Sequence, residues 1–208
     1  MHMGLRHLQR EDRLVAAVVL MVVSVLALGQ PQAVRATEDL IEADGWKEMP
    51  DWIASAAASN FEMQKLDKGW RFISYDQQLG MKWKLEFSDY VDPEVTPYLY
   101  VRYRGHDLVG FQDFVLWFAG TGAERISLPP RLFTLDGEWH TLTVDIRSYM
   151  TALEPLVRTV VQVRAGSVTP AWLDIESMVF TDDPDYGAEL TGDAWWVTEE
   201  YADLQFIW

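Results

Sequence analysis

The chain has no cysteine. Disulfides, thiol nucleophiles and cysteine-ligated zinc are therefore excluded. Histidine is scarce, with four in 208 residues. His2 and His7 sit at the extreme start, which leaves His106 in a turn and His140 at the head of an apolar run. Two isolated histidines make neither a histidine-metal cluster nor a Ser-His-Asp triad. No nucleophile elbow, zinc-protease signature, P-loop or dinucleotide fingerprint occurs. The one asparagine, Asn60, is followed by Phe-Glu, so there is no N-glycosylation acceptor. Positive charge is also short. Lys and Arg number 17 against 32 Asp and Glu, a net −15. Such a chain repels nucleic acid and anionic lipid, so neither is expected as a partner.

Long apolar runs are limited to one, LVAAVVLMVVSVLAL at 14–28. It is shorter than the roughly 20 residues of a spanning helix. Arg6, Arg10 and Arg13 precede it, and GQPQAVRA follows, with small residues at Val34 and Ala36. This pattern predicts a secretory signal over 1–36, cut after Ala36. The remainder is then secreted, periplasmic or on the cell surface, with no membrane attachment. Export without cysteine points to a bacterial route.

What is present is apolar and alternating. Hydrophobic residues make up 49%, enough for a sizeable core. In MKWKLEF, Trp83, Leu85 and Phe87 oppose Lys82, Lys84 and Glu86. In HTLTVDI, Leu142, Val144 and Ile146 oppose Thr141, Thr143 and Asp145. Similar runs occur at 61–66, 70–75, 97–104, 113–119, 158–165 and 171–180, separated by turn signals such as DKG, DPEVTP and LDGE. The expected fold is all-β: a two-sheet antiparallel β-sandwich with about 8–10 strands over 37–182. Helix is limited to PDWIASAAAS at 50–59 and one turn near 148–156. The segment 183–208 is acidic and aromatic, and is read as a tail or as the start of a further, truncated domain.

AWLDIESMVF, 171–180, places two acids in this apolar frame. In a strand Asp174 and Glu176 share one face, with Cα atoms about 6.6 Å apart. Carboxyl groups about 5–5.5 Å apart serve retaining glycosidases, so spacing permits catalysis. The stretch superficially resembles the active strand of family 16 glycoside hydrolases, but Trp172 and Ser177–Met178 stand where further acids are required. No catalytic residue is assigned. A second role for Asp174 is as a calcium ligand with Glu42 and Asp44 of IEAD; a third is simple solvation. The aromatics are numerous, with ten Trp. Tyr98, Tyr100, Trp117 and Trp172, with Arg102, are turned away from the apolar side of their strands. Sugar C–H faces pack on aromatic rings, and hydroxyls bond to charged groups, so these five are the candidate ligand-binding residues.

IEADGW, PYLYVRYRG, DGEWHTLTVDI and AWLDIESMVF, in that order, resemble galactose-binding-like jelly-roll domains, including carbohydrate-binding modules around families 4, 6, 9 and 22. Shared features are the opening acidic strand, Tyr-x-x-x-Arg-Tyr, Gly-x-Trp-x-Thr and an apolar closing strand. The resemblance implies a jelly roll, a carbohydrate partner and a structural calcium held by Glu42, Asp44 and Asp174. The expected protein is an exported, non-catalytic carbohydrate-binding domain, linked in some settings to a catalytic one. A jelly-roll hydrolase or lyase, and an interaction domain without a sugar site, stand as alternatives.

Overall fold

A computed structural model describes residues 35–42, 45–49, 59–109, 115–122 and 124–187, with the backbone alone for Glu42. Asp44, the helix expected at 50–59, residues 188–208 and nearly all of the expected signal lie outside the described residues. Among the described residues no helix is long and apolar enough to cross a membrane.

Among the described residues ten strands form two antiparallel five-stranded sheets. They are β1 (Lys47–Glu48), β2 (Phe61–Lys65), β3 (Trp70–Ser74), β4 (Met81–Val91), β5 (Tyr98–His106), β6 (Leu116–Gly120), β7 (Arg125–Leu128), β8 (His140–Asp145), β9 (Leu156–Val163) and β10 (Ala171–Thr181). The first sheet runs β2-β3-β10-β5-β8 and the second β1-β4-β9-β6-β7. Eight of these strands give the interleaved pair β3-β10-β5-β8 and β4-β9-β6-β7. That is jelly-roll order, two Greek keys folded over one another. The expected β-sandwich is therefore the observed one. β1 and β7 were not expected as strands, because two and four residues carry too little alternation to register.

The core lies between the sheets and is built by the alternation. Trp83 and Leu85 of β4, Val161 and Val163 of β9, Leu116 and Phe118 of β6 point inward from the second sheet. Phe72 of β3, Leu99, Val101 and Tyr103 of β5, and Leu173, Ile175, Met178 and Phe180 of β10 meet them from the first. Edge-to-face contacts fix the layers, with Phe118 and Phe180 centroids 5.2 Å apart. Each buried aliphatic side chain contributes about 1.5–3 kcal/mol.

β10 is the last of the described strands yet central in its sheet. It pairs with β3 on one side and β5 on the other. A register shift falls between Ile175 and Ser177. Gly69, in the β2–β3 turn with φ +77°, packs against this irregularity, and a Cβ there would lie 1.9 Å from the Ile175 carbonyl oxygen. Only glycine fits such an approach.

Candidate functional site

The outer face of the first sheet collects residues from four strands. Cross-strand register places Arg71 opposite Asp174, Asp174 opposite Arg104, and Trp172 opposite His106. Ser177 faces Arg102, Val179 faces Tyr100, and Arg102 faces Thr141 of β8. Trp139 immediately precedes β8 and lies on the same side as these residues. All follow from the period of two: once Leu173 and Ile175 turn inward, Trp172 and Asp174 must turn out.

Asp174 is fully buried although it lies on an outer face. The side chains around it are the cause. Arg71 donates from Nε to Oδ1 at 2.6 Å and from Nη2 to Oδ2 at 2.8 Å. Arg104 donates from Nε to Oδ2 at 2.8 Å. One carboxylate thus holds two guanidinium groups from the two neighbouring strands. The partner anion raises the pKa of Arg71 further above its usual value, through hydrogen bonding first. Arg102 pairs with Glu176 in the same way one step along. Glu176 is half-buried and engaged by Arg102.

The guanidinium groups also stack on indoles. Arg71 lies 4.7 Å from the Trp172 centroid. Arg104 lies 5.6 Å from Trp172 and 4.6 Å from Trp139, and Arg102 lies 5.3 Å from Trp139. Each such contact stabilises by about 0.5–2 kcal/mol. The result is a lattice in which carboxylates fix guanidiniums and guanidiniums fix indoles. Both tryptophans remain partly exposed.

Of the five candidate ligand residues, Tyr98, Tyr100, Arg102 and Trp172 lie on this face. Trp117 does not. It belongs to β6 on the outer face of the second sheet, beside Val160 and Ser127, with Arg125 4.4 Å from its ring. Tyr100 is on the right face but only 2% exposed. The segment after β10 lies over it, with Tyr186 stacked edge-on at 5.4 Å. Gly187, φ +79°, approaches so closely that a Cβ would come within 2.4 Å of the Tyr100 ring. Burial raises the Tyr100 pKa.

Asp174 does not fit a calcium site. Calcium gathers six to eight oxygens, and both oxygens of Asp174 are given to guanidinium groups. The turn carrying Glu42 sits farther along β10, where Asp39 accepts from the Met178 amide at 2.8 Å. Among the described residues no group of three or more His, Asp or Glu is placed to hold a metal ion. The same geometry bears on the catalytic pair: each acid is spent on arginine rather than presented to a ligand.

Sequence reasoning missed Arg71, Arg104 and Trp139. The signal for the first two was present, since Arg102 and Arg104 are two apart and WRFIS alternates. Trp139 lies just outside its strand, where alternation stops being a guide.

No protein-family profile matches the chain, and comparison with curated proteins finds no match. Solved structures align with part of the chain at low identity. PfGH50B aligns at TM-score 0.46 and 9% identity, covering 73% of this chain and 24% of that one. A family 29 carbohydrate-binding module from Piromyces equi aligns at 0.41 and 12%, covering 73% and 92%. A family 11 carbohydrate-binding module from Clostridium thermocellum, in complex with a mixed-linked tetrasaccharide, aligns at 0.45 and 9%, covering 73% and 96%. The chain spans about a quarter of the length of PfGH50B.

Proposed function

We propose that this chain is an exported, non-catalytic carbohydrate-binding domain that holds sugar rings on the outer face of its first sheet, as an accessory to glycan breakdown. The observation that carries this reading is the pair of partly exposed indoles, Trp139 and Trp172, fixed in place by Arg71, Arg102 and Arg104. Sugar rings present C–H faces to aromatic surfaces. A platform already held by ion pairs has little freedom left to lose on binding. Tyr98 and Arg102 extend the face beside it, and the threonines of β8 supply hydroxyls. Asp174 and Glu176 serve as anchors for arginine, which favours binding over hydrolysis.

The test is retention on a panel of soluble and insoluble glycans by affinity electrophoresis and pull-down. Trp172→Ala and Trp139→Ala are each expected to weaken retention at least tenfold, with near-UV circular dichroism showing an intact fold. No retention on any glycan overturns the reading. Release of sugar products that disappears in Asp174→Asn replaces it with the enzyme alternative.

A further inference from the structure

The charge on the candidate face runs against that of the chain. The whole is −15, yet the centre of this face holds Arg71, Arg102 and Arg104 against Asp174 and Glu176. Other acids around it have hydrogen-bond partners of their own. Glu62 at the β2 edge meets Gln64 and the Tyr75 hydroxyl, Asp145 pairs with Arg147, and Asp136 bonds to His140. Within this central cluster the arginines outnumber the carboxylates by one, and two of them share Asp174.

Of these two, Arg104 has more donors to spare. A guanidinium carries five N–H groups in a rigid fork. Arg71 turns Nε and Nη2 to Asp174, whereas Arg104 turns only Nε. Among the described residues the Nη groups of Arg104 have no protein acceptor. The group lies near both the Trp139 and Trp172 rings and its side chain is 32% exposed. A sugar stacked on either indole therefore carries its substituents past a half-desolvated guanidinium edge. A neutral sugar offers hydroxyls there. A planar carboxylate or a sulfate offers paired acceptors that match the fork and its charge.

We infer that the ligand of this face is an acidic glycan, whose carboxylate or sulfate is read by Arg104 while its ring stacks on Trp139 or Trp172. This rests on the proposed sugar-binding role and narrows it. It sets local recognition against the acidity of the rest of the chain, which repels polyanions that do not find this face.

The test uses matched polymers and calorimetry: polygalacturonate against its methyl-esterified form, and a sulfated galactan against its desulfated product. The expected result is at least tenfold tighter binding to one acidic member than to its neutral partner; which pair shows it identifies carboxylate or sulfate. In Arg104→Gln the ratio is expected to fall to about one, and in Arg104→Lys to an intermediate value, because charge remains without the fork. Equal binding to both members of each pair, lost in Trp172→Ala, overturns the acidic assignment and leaves sugar binding standing. Absence of binding to all four polymers and to other glycans overturns both. Acidic-polymer binding that survives Trp139→Ala, Trp172→Ala and Arg104→Gln also overturns the inference, as a general polyanion effect at another surface.

Discussion

The two outer faces of the sandwich are built from similar residues and do different things with them. Each has tryptophan stacked with arginine: Trp172 and Trp139 with Arg71, Arg102 and Arg104 on the first sheet, Trp117 with Arg125 on the second. On the first, every central arginine contacts a carboxylate and the indoles stay partly open. On the second, Val160 and Gln162 are fully buried and Lys82 is 3% exposed. Lys82 bears the consequence. Burial, and secondarily the charge of Arg125, pushes its amine down to about 8. Composition marks both faces as aromatic and charged. Trp117, Trp139 and Trp172 are all partly exposed; ion pairing of the neighbouring arginines and burial of the neighbouring residues are what separate the two faces.

The largest expected effect comes from removing the anchor of the first face. Asp174→Ala leaves two guanidiniums over a fully buried position. It is expected to cost about 3 kcal/mol, near the lower end for a broken buried pair because both arginines reach solvent. Urea denaturation checks this; a loss under about 1 kcal/mol would show the lattice to be a surface feature. Next is the contrast between tryptophans. Trp172→Ala is expected to abolish glycan retention while Trp117→Ala leaves most of it, and the reverse order would move the site to the second sheet.

A smaller effect separates the faces by pH. The Lys82 pKa is depressed in the folded state, so between about pH 8 and the ordinary lysine value of 10.5 the unfolded chain binds more protons. Stability should therefore rise with pH across that window, and Lys82→Met should flatten the rise. Identical slopes in the two proteins count against a buried Lys82 amine. The smallest effect is at Tyr100. Its hydroxyl is buried with no partner among the described residues. Tyr100→Phe is expected to change stability by at most about 1 kcal/mol, in the stabilising direction, and to leave glycan retention intact.

Alternation made the sandwich legible. Each of the eight runs read from the sequence corresponds to a strand, and the inward set of β10, Leu173 and Ile175, is the one expected. The candidate site was legible only in part, for reasons that lie in register. That Trp172 faces outward follows from its own strand. That Asp174 sits between Arg71 and Arg104 depends on pairing residues 70 to 103 positions apart, which no local pattern encodes. The same blindness grouped Trp117 with Trp172, since alternation states which side of a strand a residue takes and not which sheet the strand joins. The cover over Tyr100 depends on where the chain goes after β10.

β10 is made after the other described strands and belongs in the middle. Until Thr181 has left the ribosome, β3 and β5 have between them a gap one strand wide, with backbone groups on both sides lacking partners. Closure of a sheet of this topology depends on contacts of long sequence separation, which slow folding. Blocking β10 alone would leave both β3 and β5 without their shared neighbour.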